Sequence, residues 1–243
     1  MADQLAHSVL PLFIEDYQGR PDRIGSCVLV RPDSGAYAFT AGHVLEDAGS
    51  SQLFASPGPT VKLMPLPYTA AHSARKGPSG LDLDVGVLPL DEGALGPFAQ
   101  CGFLTGDEID ENDTADFNGF LEFYYVFGYP AARTQVKISH SLRHIKQRSF
   151  QLSTTPPEAE AYVRENISSS DHILLEFDHK DTVVEGRIVA PPKLQGLSGG
   201  AILRINRTTL ERRLVAIAVE HRKSSRFIVG TRIKHFLNLA REA

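Results

Sequence analysis

The chain is 243 residues long, which is enough to bury the core of one compact domain or of two closely packed small ones. Hydrophobic residues make up 42% and charged residues 22% of the sequence, as is usual for a globular protein. The formal net charge of −4 gives no indication of a nucleic-acid partner or of an anionic membrane surface. No apolar run approaches the ~20 residues that a membrane span needs.

The N-terminal residues and the cysteine content bear on the cellular compartment. The N-terminal apolar stretch is short and has acidic residues on both sides, which is not the pattern of a secretory signal peptide. Two cysteines, Cys27 and Cys101, are too few for a disulfide framework, and we expect both to be free thiols. We therefore expect a cytoplasmic protein.

Short segments rich in Val, Ile, Leu and Phe follow one another along the chain, separated by Gly, Pro, Asp and Ser. Each has the length of a strand, and many alternate in polarity or are β-branched. Together they predict an all-β barrel or sandwich. In chain order they are residues 8–14, 25–30, 36–42, 84–90, 120–129, 172–177, 200–205, 213–219 and 226–233.

Helical patterns are scarce. Residues 156–167 begin with proline and continue with good helix formers, and residues 233–243 predict a C-terminal amphipathic helix. The acidic, turn-rich stretch 105–119 has few residues suited to a core. It predicts a solvated connection between two halves of the molecule.

Three segments contain residues of catalytic type. Residues 39–44 form an apolar strand that ends in a small-residue turn and His43. Asp84 opens a strongly apolar strand, which is a costly place for a carboxylate unless it is paired or hydrogen-bonded. Ser198 lies among glycines in the sequence GLSGGA, where successive N–H groups can point into one concavity. Each segment alone also fits a structural role, as a strand end, a solvent-facing loop or a flexible turn.

Taken in order, these segments resemble the catalytic motifs of trypsin-like serine peptidases. TAGHV, DVGVLPL and GLSGGA resemble the family's TAAH, D-[I/L]-A-[L/V]-L and G-x-S-G-G-P segments, and the order His, Asp, Ser is of the chymotrypsin type. Asp84 follows His43 by 41 residues, near the family's usual spacing, and Ser198 follows Asp84 by a longer 114 residues. Downstream, LVAIAVEH resembles the substrate-pairing strand, and FIVGTRIKHFL resembles the last strand and helix. The resemblance therefore spans nearly the whole chain.

The resemblance implies a chymotrypsin-like fold of two packed antiparallel six-stranded β-barrels followed by a C-terminal helix. Residues 1–110 would form the N-terminal barrel and carry His43 and Asp84. Residues 111–243 would form the C-terminal barrel and carry Ser198. The connection predicted at residues 105–119 falls where the family's chain crosses between the barrels.

The same resemblance implies a serine endopeptidase that acts through an acyl-enzyme, without a metal or another cofactor. Ser198 would attack the carbonyl carbon, His43 would accept and return the proton, and Asp84 would orient the imidazole. The N–H groups of Gly196 and Ser198 would form the oxyanion hole. Asp82 is the rival for the orienting role, because residues two apart on a strand face the same side.

Several departures from the family pattern concern the substrate-binding pocket. Pro192 stands where the family often has an acid that selects Lys or Arg, so we do not expect that preference. Val219, Glu220 and His221 stand where a Ser-Trp-Gly run is common, and their larger side chains would narrow the pocket. Glu220 could supply a charge from the rim, and we expect Ile228 to point into the same pocket.

Three other functions stay open from the sequence. The crowded pocket suits a catalytically silent binding module with a trypsin-like fold. The same triad serves esters, which leaves an esterase-type acyl hydrolase, and a peptidase could be latent until an activating protein partner remodels its cleft. The expected partners are a protein or peptide substrate and this activator, with no nucleic acid and no membrane.

Overall fold

The architecture comes from a computed structural model, which describes residues 5, 7–57, 62–76, 82–113, 121–131, 135–138, 143–146, 149–177, 183–184, 187–188 and 193–243. Within them, no helix combines the length and the apolar character that crossing a membrane requires. Helix α1 spans Gly42–Ala48, α2 spans Ala159–Arg164 and α3 spans Ile233–Glu242. The strands are, in chain order, β1 Val9–Glu15, β2 Pro21–Arg31, β3 Tyr37–Ala41, β4 Phe54–Ala55, β5 Met64–Pro65, β6 His72–Lys76, β7 Asp82–Pro89, β8 Leu104–Thr105, β9 Glu122–Gly128, β10 Gln135–Ile138, β11 Arg143–Lys146, β12 Phe150–Thr154, β13 His172–Glu176, β14 Val183–Val184, β15 Arg187–Ile188, β16 Ala201–Asn206, β17 Arg212–Arg222 and β18 Phe227–Arg232.

Every strand predicted from the sequence is present, and the two helices are placed as predicted. The C-terminal helix α3 covers almost the whole predicted segment. Helix α2 is shorter than the predicted 156–167, because two prolines precede it and Asn166 follows it with a φ of 53°. A residue in this left-handed region is a common way to end a helix.

The first sheet has the order β5-β4-β1-β2-β3-β7-β6, with β8 added beside β2. It counts eight strands among the described residues, and β4, β5 and β8 are only two residues long each. The chain after β5 returns to the end of β7, where Thr69 N donates to Pro89 O at 2.9 Å and Asp91 N donates to Pro67 O at 2.8 Å. These bonds join the two ends of the sheet into a barrel.

The second sheet has six strands in the order β12-β9-β16-β17-β18-β13. Its end strands meet where Glu176 N donates to Thr155 O at 3.2 Å and the Thr154 hydroxyl donates to Glu176 O at 2.6 Å. Inside, the rings of Phe150 and Phe177 pack edge to face with centroids 6.1 Å apart. The six strands thus close around an apolar core, as the sequence predicts.

A shared core and helix α3 join the two barrels. Buried side chains from β2, β3 and β7 pack with others from β9, β16 and β17 in one apolar cluster that also includes residues of α3. The ring of Phe236 in α3 lies 5.5 Å from that of Phe39 in β3, and the Tyr37 hydroxyl donates to Ala240 O at 3.3 Å. Strands β1 to β8 all belong to the first sheet. The six strands of the second sheet all come later in the chain, from β9 onward. Part of the predicted connection, residues 114–120, lies outside the described residues.

Candidate active site

A cleft of about 740 Å³ opens between the two barrels and brings the three predicted catalytic residues together. His43 and Asp84 reach it from the first barrel, and Ser198 reaches it from the second. The residues lining this cleft are His43, Arg75, Asp84, Asn166, Ile167, Ser168, His172, Lys193, Leu194, Gln195, Ser198, Val219, Glu220, His221, Arg222, Lys223 and Val229.

His43 is the second residue of helix α1, which begins directly after strand β3. The sequence predicts a turn here, so the helix is a difference from expectation. Gly42 allows it to lie close against β7, because a Cβ on this residue would lie 2.9 Å from Val85 O and 3.1 Å from the Asp84 carboxylate. The glycine before the histidine therefore lets the imidazole approach Asp84.

Two hydrogen bonds join His43 to the carboxylate of Asp84. The backbone N–H of His43 donates to Asp84 Oδ1 at 2.8 Å, and His43 Nδ1 lies 2.7 Å from Asp84 Oδ2. Because an ionised carboxylate only accepts, the proton belongs on Nδ1. The other ring nitrogen, Nε2, is then left as the acceptor that a general base requires.

The surroundings of the pair favour an ionised Asp84 carboxylate and a basic His43 imidazole. The hydrogen bond to Asp84 raises the pKa of His43, and this outweighs the lowering by burial. Burial acts to raise the pKa of Asp84, but the hydrogen bonds from His43 and the nearby cations hold that pKa below its usual value. Asp84 is therefore charged whenever His43 titrates.

Arg75 of strand β6 is a third member of this group, and the sequence pattern does not predict it. Its Nη1 donates to Asp84 Oδ1 at 2.6 Å, and its Nε lies 3.2 Å from Glu46 Oε1 of helix α1. Asp84 itself has a φ of 57°, and the pairing of β6 with β7 shifts register between Ala74 and Lys76, beside Arg75. The side chain of the rival Asp82 lies outside the described part of the structure.

In the segment 196–200 around Ser198, two N–H groups have no acceptor among the described residues, those of Gly196 and Ser198. The other three N–H groups of this segment donate to backbone carbonyls, Leu197 N to Leu194 O, Gly199 N to Ala218 O in strand β17 and Gly200 N to Leu197 O. These two free donors are the pair expected for an oxyanion hole.

Fixed carbonyls orient both free donors. Ala131 N donates to Gln195 O at 2.7 Å, and Gly200 N donates to Leu197 O at 2.8 Å. In a planar trans peptide the N–H points opposite to the C=O. The N–H groups of Gly196 and Ser198 therefore point away from Ala131 N and Gly200 N. The two peptide groups are held in this orientation before a substrate arrives.

Ser26 of strand β2, fully buried, links the first barrel to the Ser198 loop. Its N–H donates to Ser198 O at 2.7 Å, and its hydroxyl donates to Gly196 O at 3.1 Å and accepts from Tyr129 N at 3.1 Å. Its carbonyl accepts from the Thr40 hydroxyl at 2.7 Å. The sequence does not predict this role, because a serine within an apolar strand has no pattern that reveals its partners.

The hydroxyl of Ser198 itself donates to Val219 O at 3.4 Å, a long hydrogen bond. Among the described contacts it has none with the imidazole of His43. General-base catalysis requires this hydroxyl to donate to His43 Nε2 instead.

Several solved structures share this arrangement of two barrels. An inactivated protease paralogue of the scabies mite aligns with 100% of this chain and 96% of its own length, with a TM-score of 0.55 and 11% identity. The VesB protease of Vibrio cholerae aligns with 96% of this chain and 62% of its own length, with a TM-score of 0.55 and 16% identity. The chain has the trypsin-like protease fold.

The sequence itself matches no protein-family model and no curated protein. At such low identities, the structural likeness establishes the trypsin-like fold alone. One of the two neighbours is an inactivated protease, so activity has to be argued from the site of this chain.

The predicted pocket residues Val219, Glu220 and His221 all line the cleft, but they differ in burial and in the groups they contact. Val219 lines the cleft and is nearly buried, and His221 lines it while its ring packs against Phe177 with centroids 5.2 Å apart. Glu220 is paired with Arg222, whose Nε lies 3.1 Å from its carboxylate.

Two further pocket predictions have different outcomes. Ile228 is fully buried in the core of the second barrel, and its neighbour Val229 lines the cleft instead, so the expectation for Ile228 is wrong. Adjacent residues of a strand face opposite sides, and Val229, which is itself buried, faces the cleft. Pro192 lies outside the described residues.

Among the described residues, the cleft is lined by no cysteine and by no cluster of metal-ligating side chains. No group of three or more His, Cys, Asp and Glu side chains suited to a metal occurs within the described ranges. Cys27 and Cys101 are free thiols, and burial raises the pKa of both, that of Cys101 to about 11. A thiol with a raised pKa is a poor nucleophile, so Ser198 is the candidate nucleophile.

Proposed function

We propose that this chain is a serine endopeptidase that hydrolyses peptide bonds through an acyl-enzyme. One observation carries the proposal. A hydrogen-bonded His43–Asp84 pair lines the same cleft as Ser198, beside two N–H groups that have no acceptor among the described residues. These are the groups that acyl transfer needs, namely a base, its orienting carboxylate, a nucleophile and oxyanion donors.

In the first half of the reaction, the hydroxyl of Ser198 turns from Val219 O to the imidazole and attacks the substrate carbonyl. His43 Nε2 accepts the hydroxyl proton, and Asp84 stabilises the imidazolium that forms. The N–H groups of Gly196 and Ser198 bind the oxyanion, where each donor contributes about 3–4 kcal/mol. The imidazolium then gives its proton to the leaving amine, and the peptide C–N bond breaks.

In the second half, water takes the place of the amine. His43 Nε2 removes a proton from the water, which attacks the acyl carbon, and the same N–H groups bind the second oxyanion. The proton returns to the oxygen of Ser198 as the ester bond breaks. The carboxylic acid product leaves, and the free enzyme is restored.

A catalytically silent binding module is the second candidate function. It is favoured by the hydrogen bond that the Ser198 hydroxyl makes to Val219 O instead of to the base, and by the inactivated structural neighbour. A latent peptidase has the same starting geometry, with an activating protein that would shift the hydroxyl toward His43. An esterase-type hydrolase would use the same groups on a smaller substrate.

The proposal also covers the compartment, the substrate and the part of the chain that supplies each catalytic residue. It acts in the cytoplasm on a protein or peptide substrate, with residues 1–110 supplying His43 and Asp84 and residues 111–243 supplying Ser198. The three catalytic side chains then depend on contact between the two halves.

Hydrolysis by the wild-type chain and by its Ser198→Ala variant tests the proposal. We expect the wild type to cleave an unfolded protein such as casein, and Ser198→Ala to lose about 10⁴-fold or more of that activity. Ser50→Ala, at an exposed turn, is the matched control and should keep full activity. Equal activity of Ser198→Ala and wild type would overturn the proposal, and cleavage of esters alone would favour the esterase-type hydrolase.

A further inference from the structure

The charged residues of the cleft are mostly basic. Its lining includes the cations Arg75, Lys193, Arg222 and Lys223, and the carboxylates Asp84 and Glu220.

Both carboxylates of the cleft are already paired with arginine. Asp84 accepts from Arg75 at 2.6 Å, and Glu220 accepts from Arg222 at 3.1 Å. Arg222 has a second carboxylate partner, Glu165, at 3.2 Å. The charges of these arginines are therefore offset within the protein.

The two lysines differ from the arginines, because neither has a carboxylate partner within the described ranges. Lys193 lies five residues before Ser198, and Lys223 follows the end of strand β17, which carries Val219. Within the described ranges, the charge of the cleft that is not offset is thus positive.

The remaining surface beside these lysines suits a short side chain with an acidic end. Leu194, Val219 and Val229 form apolar walls, and the amides of Gln195 and Asn166 can donate hydrogen bonds. Methylene groups would pack against the walls, and a carboxylate would lie within reach of the cations.

We propose that the cleft binds peptides that have Asp or Glu beside the cleaved bond, with Lys193 and Lys223 as the cations that select them. This inference rests on the proposed peptidase for the cleavage step, but the binding preference itself does not. A substrate Lys or Arg would bring a third positive charge to the same place. An apolar side chain would desolvate the lysines without a partner, which is costly.

Binding of matched peptides to the Ser198→Ala protein tests the preference without catalysis. Three peptides differ only in carrying Glu, Gln or Lys before the scissile bond, and calorimetry measures their affinities. We expect Glu to bind about fivefold tighter than Gln, the ratio typical of one partly exposed ion pair, and Lys to bind weakest. The preference for Glu should decrease as salt concentration rises.

Lysine variants of the Ser198→Ala protein test whether Lys193 and Lys223 cause the preference for Glu. Lys193→Met and Lys223→Met should each lower the Glu-to-Gln affinity ratio, and together they should bring it to about one. Lys62→Met, exposed and outside the cleft, should leave the ratio unchanged.

Equal affinities for Glu and Gln, no binding of any of the three, or a ratio unaffected by the double variant would each overturn the inference. The outcome is distinguishable from failure of the proposed function. Acid-selective binding by a wild-type chain that cleaves nothing would contradict only the peptidase proposal. Cleavage without acid selectivity would contradict only this inference.

Discussion

At the scale of single residues, the carboxylate of Asp84 is the centre of the site, because three hydrogen bonds converge on it. Two come from His43 and hold the imidazole, and the third comes from Arg75. The arginine stabilises the carboxylate but opposes the protonation of His43, whose pKa its charge lowers. Asp84 raises that same pKa more strongly, while burial lowers it together with Arg75.

Replacing Arg75 should move the acidic limb of the pH–activity profile. The active form has a neutral His43, so activity is lost as the pH falls through the pKa of this residue. Because the Arg75 cation lowers that pKa, Arg75→Met should raise it and shift the acidic limb of kcat/KM to higher pH. Titration of the His43 ring by NMR should show a shift in the same direction.

Two control variants separate charge from structure. Arg75→Lys keeps the cation and should keep most of the wild-type profile. Lys76→Met removes an exposed cation of the next residue, outside the cleft, and should leave the profile unchanged. An unshifted profile and an unshifted ring titration in Arg75→Met would contradict this role.

His43, Asp84 and Ser198 were predictable from the sequence. Each lies in a short motif whose neighbouring residues are there for a chemical reason. The sequence could not predict Arg75 or Ser26. Arg75 meets Asp84 through the pairing of β6 with β7, and Ser26 meets the Ser198 loop across the junction of the barrels. Contacts between distant parts of the chain depend on register and packing, which local patterns do not contain.

At the scale of elements, the Ser198 loop is shaped by glycines with a positive φ. Gly196 has a φ of 85° and Gly199 a φ of 86°. A Cβ on Gly199 would also overlap the carbonyl oxygen of Ser26 and the hydroxyl of Thr40. The close approach of the two barrels at this loop therefore depends on the absence of a side chain.

Gly199→Ala should destabilise the protein and disable the site. The left-handed backbone and the overlap together should cost about 2–4 kcal/mol in the free energy of unfolding. Gly106→Ala is the matched control, because a Cβ there meets nothing within 4 Å, and its effect should stay within about 0.5 kcal/mol. Denaturant titration measures both, and equal stabilities of the two variants would show that the loop tolerates a side chain.

Elements with strong apolar patterns were predictable, and those without them were not. Strand β6, His72–Lys76, is polar and partly exposed, so its sequence has little to mark it as a strand. Helix α1, Gly42–Ala48, follows a strand without a break and lacks a side-chain cap, so the pattern around His43 suggests a turn instead. The β17 strand, rich in Val, Ile and Ala, was predicted from its strand-length apolar run.

At the scale of the whole molecule, the cleft exists because two barrels and helix α3 share one core. Phe236 of α3 packs against Phe39 of the first barrel, which ties the end of the chain to the strand that precedes His43. Strand counting from the sequence does not separate barrels from a sandwich. The three motifs in the order His, Asp, Ser did favour this fold, and the solved structures that share it confirm the fold but not the activity.

Covalent labelling with a fluorophosphonate probe tests most directly whether the site works as an acyl-transfer site. The probe requires an activated serine beside a base and oxyanion donors, and it needs no knowledge of the natural substrate. We predict one adduct on the native chain by intact mass, mapped to Ser198, absent in Ser198→Ala and formed far more slowly in His43→Ala. A native chain that stays unlabelled, or that is labelled only at another serine, would contradict the account.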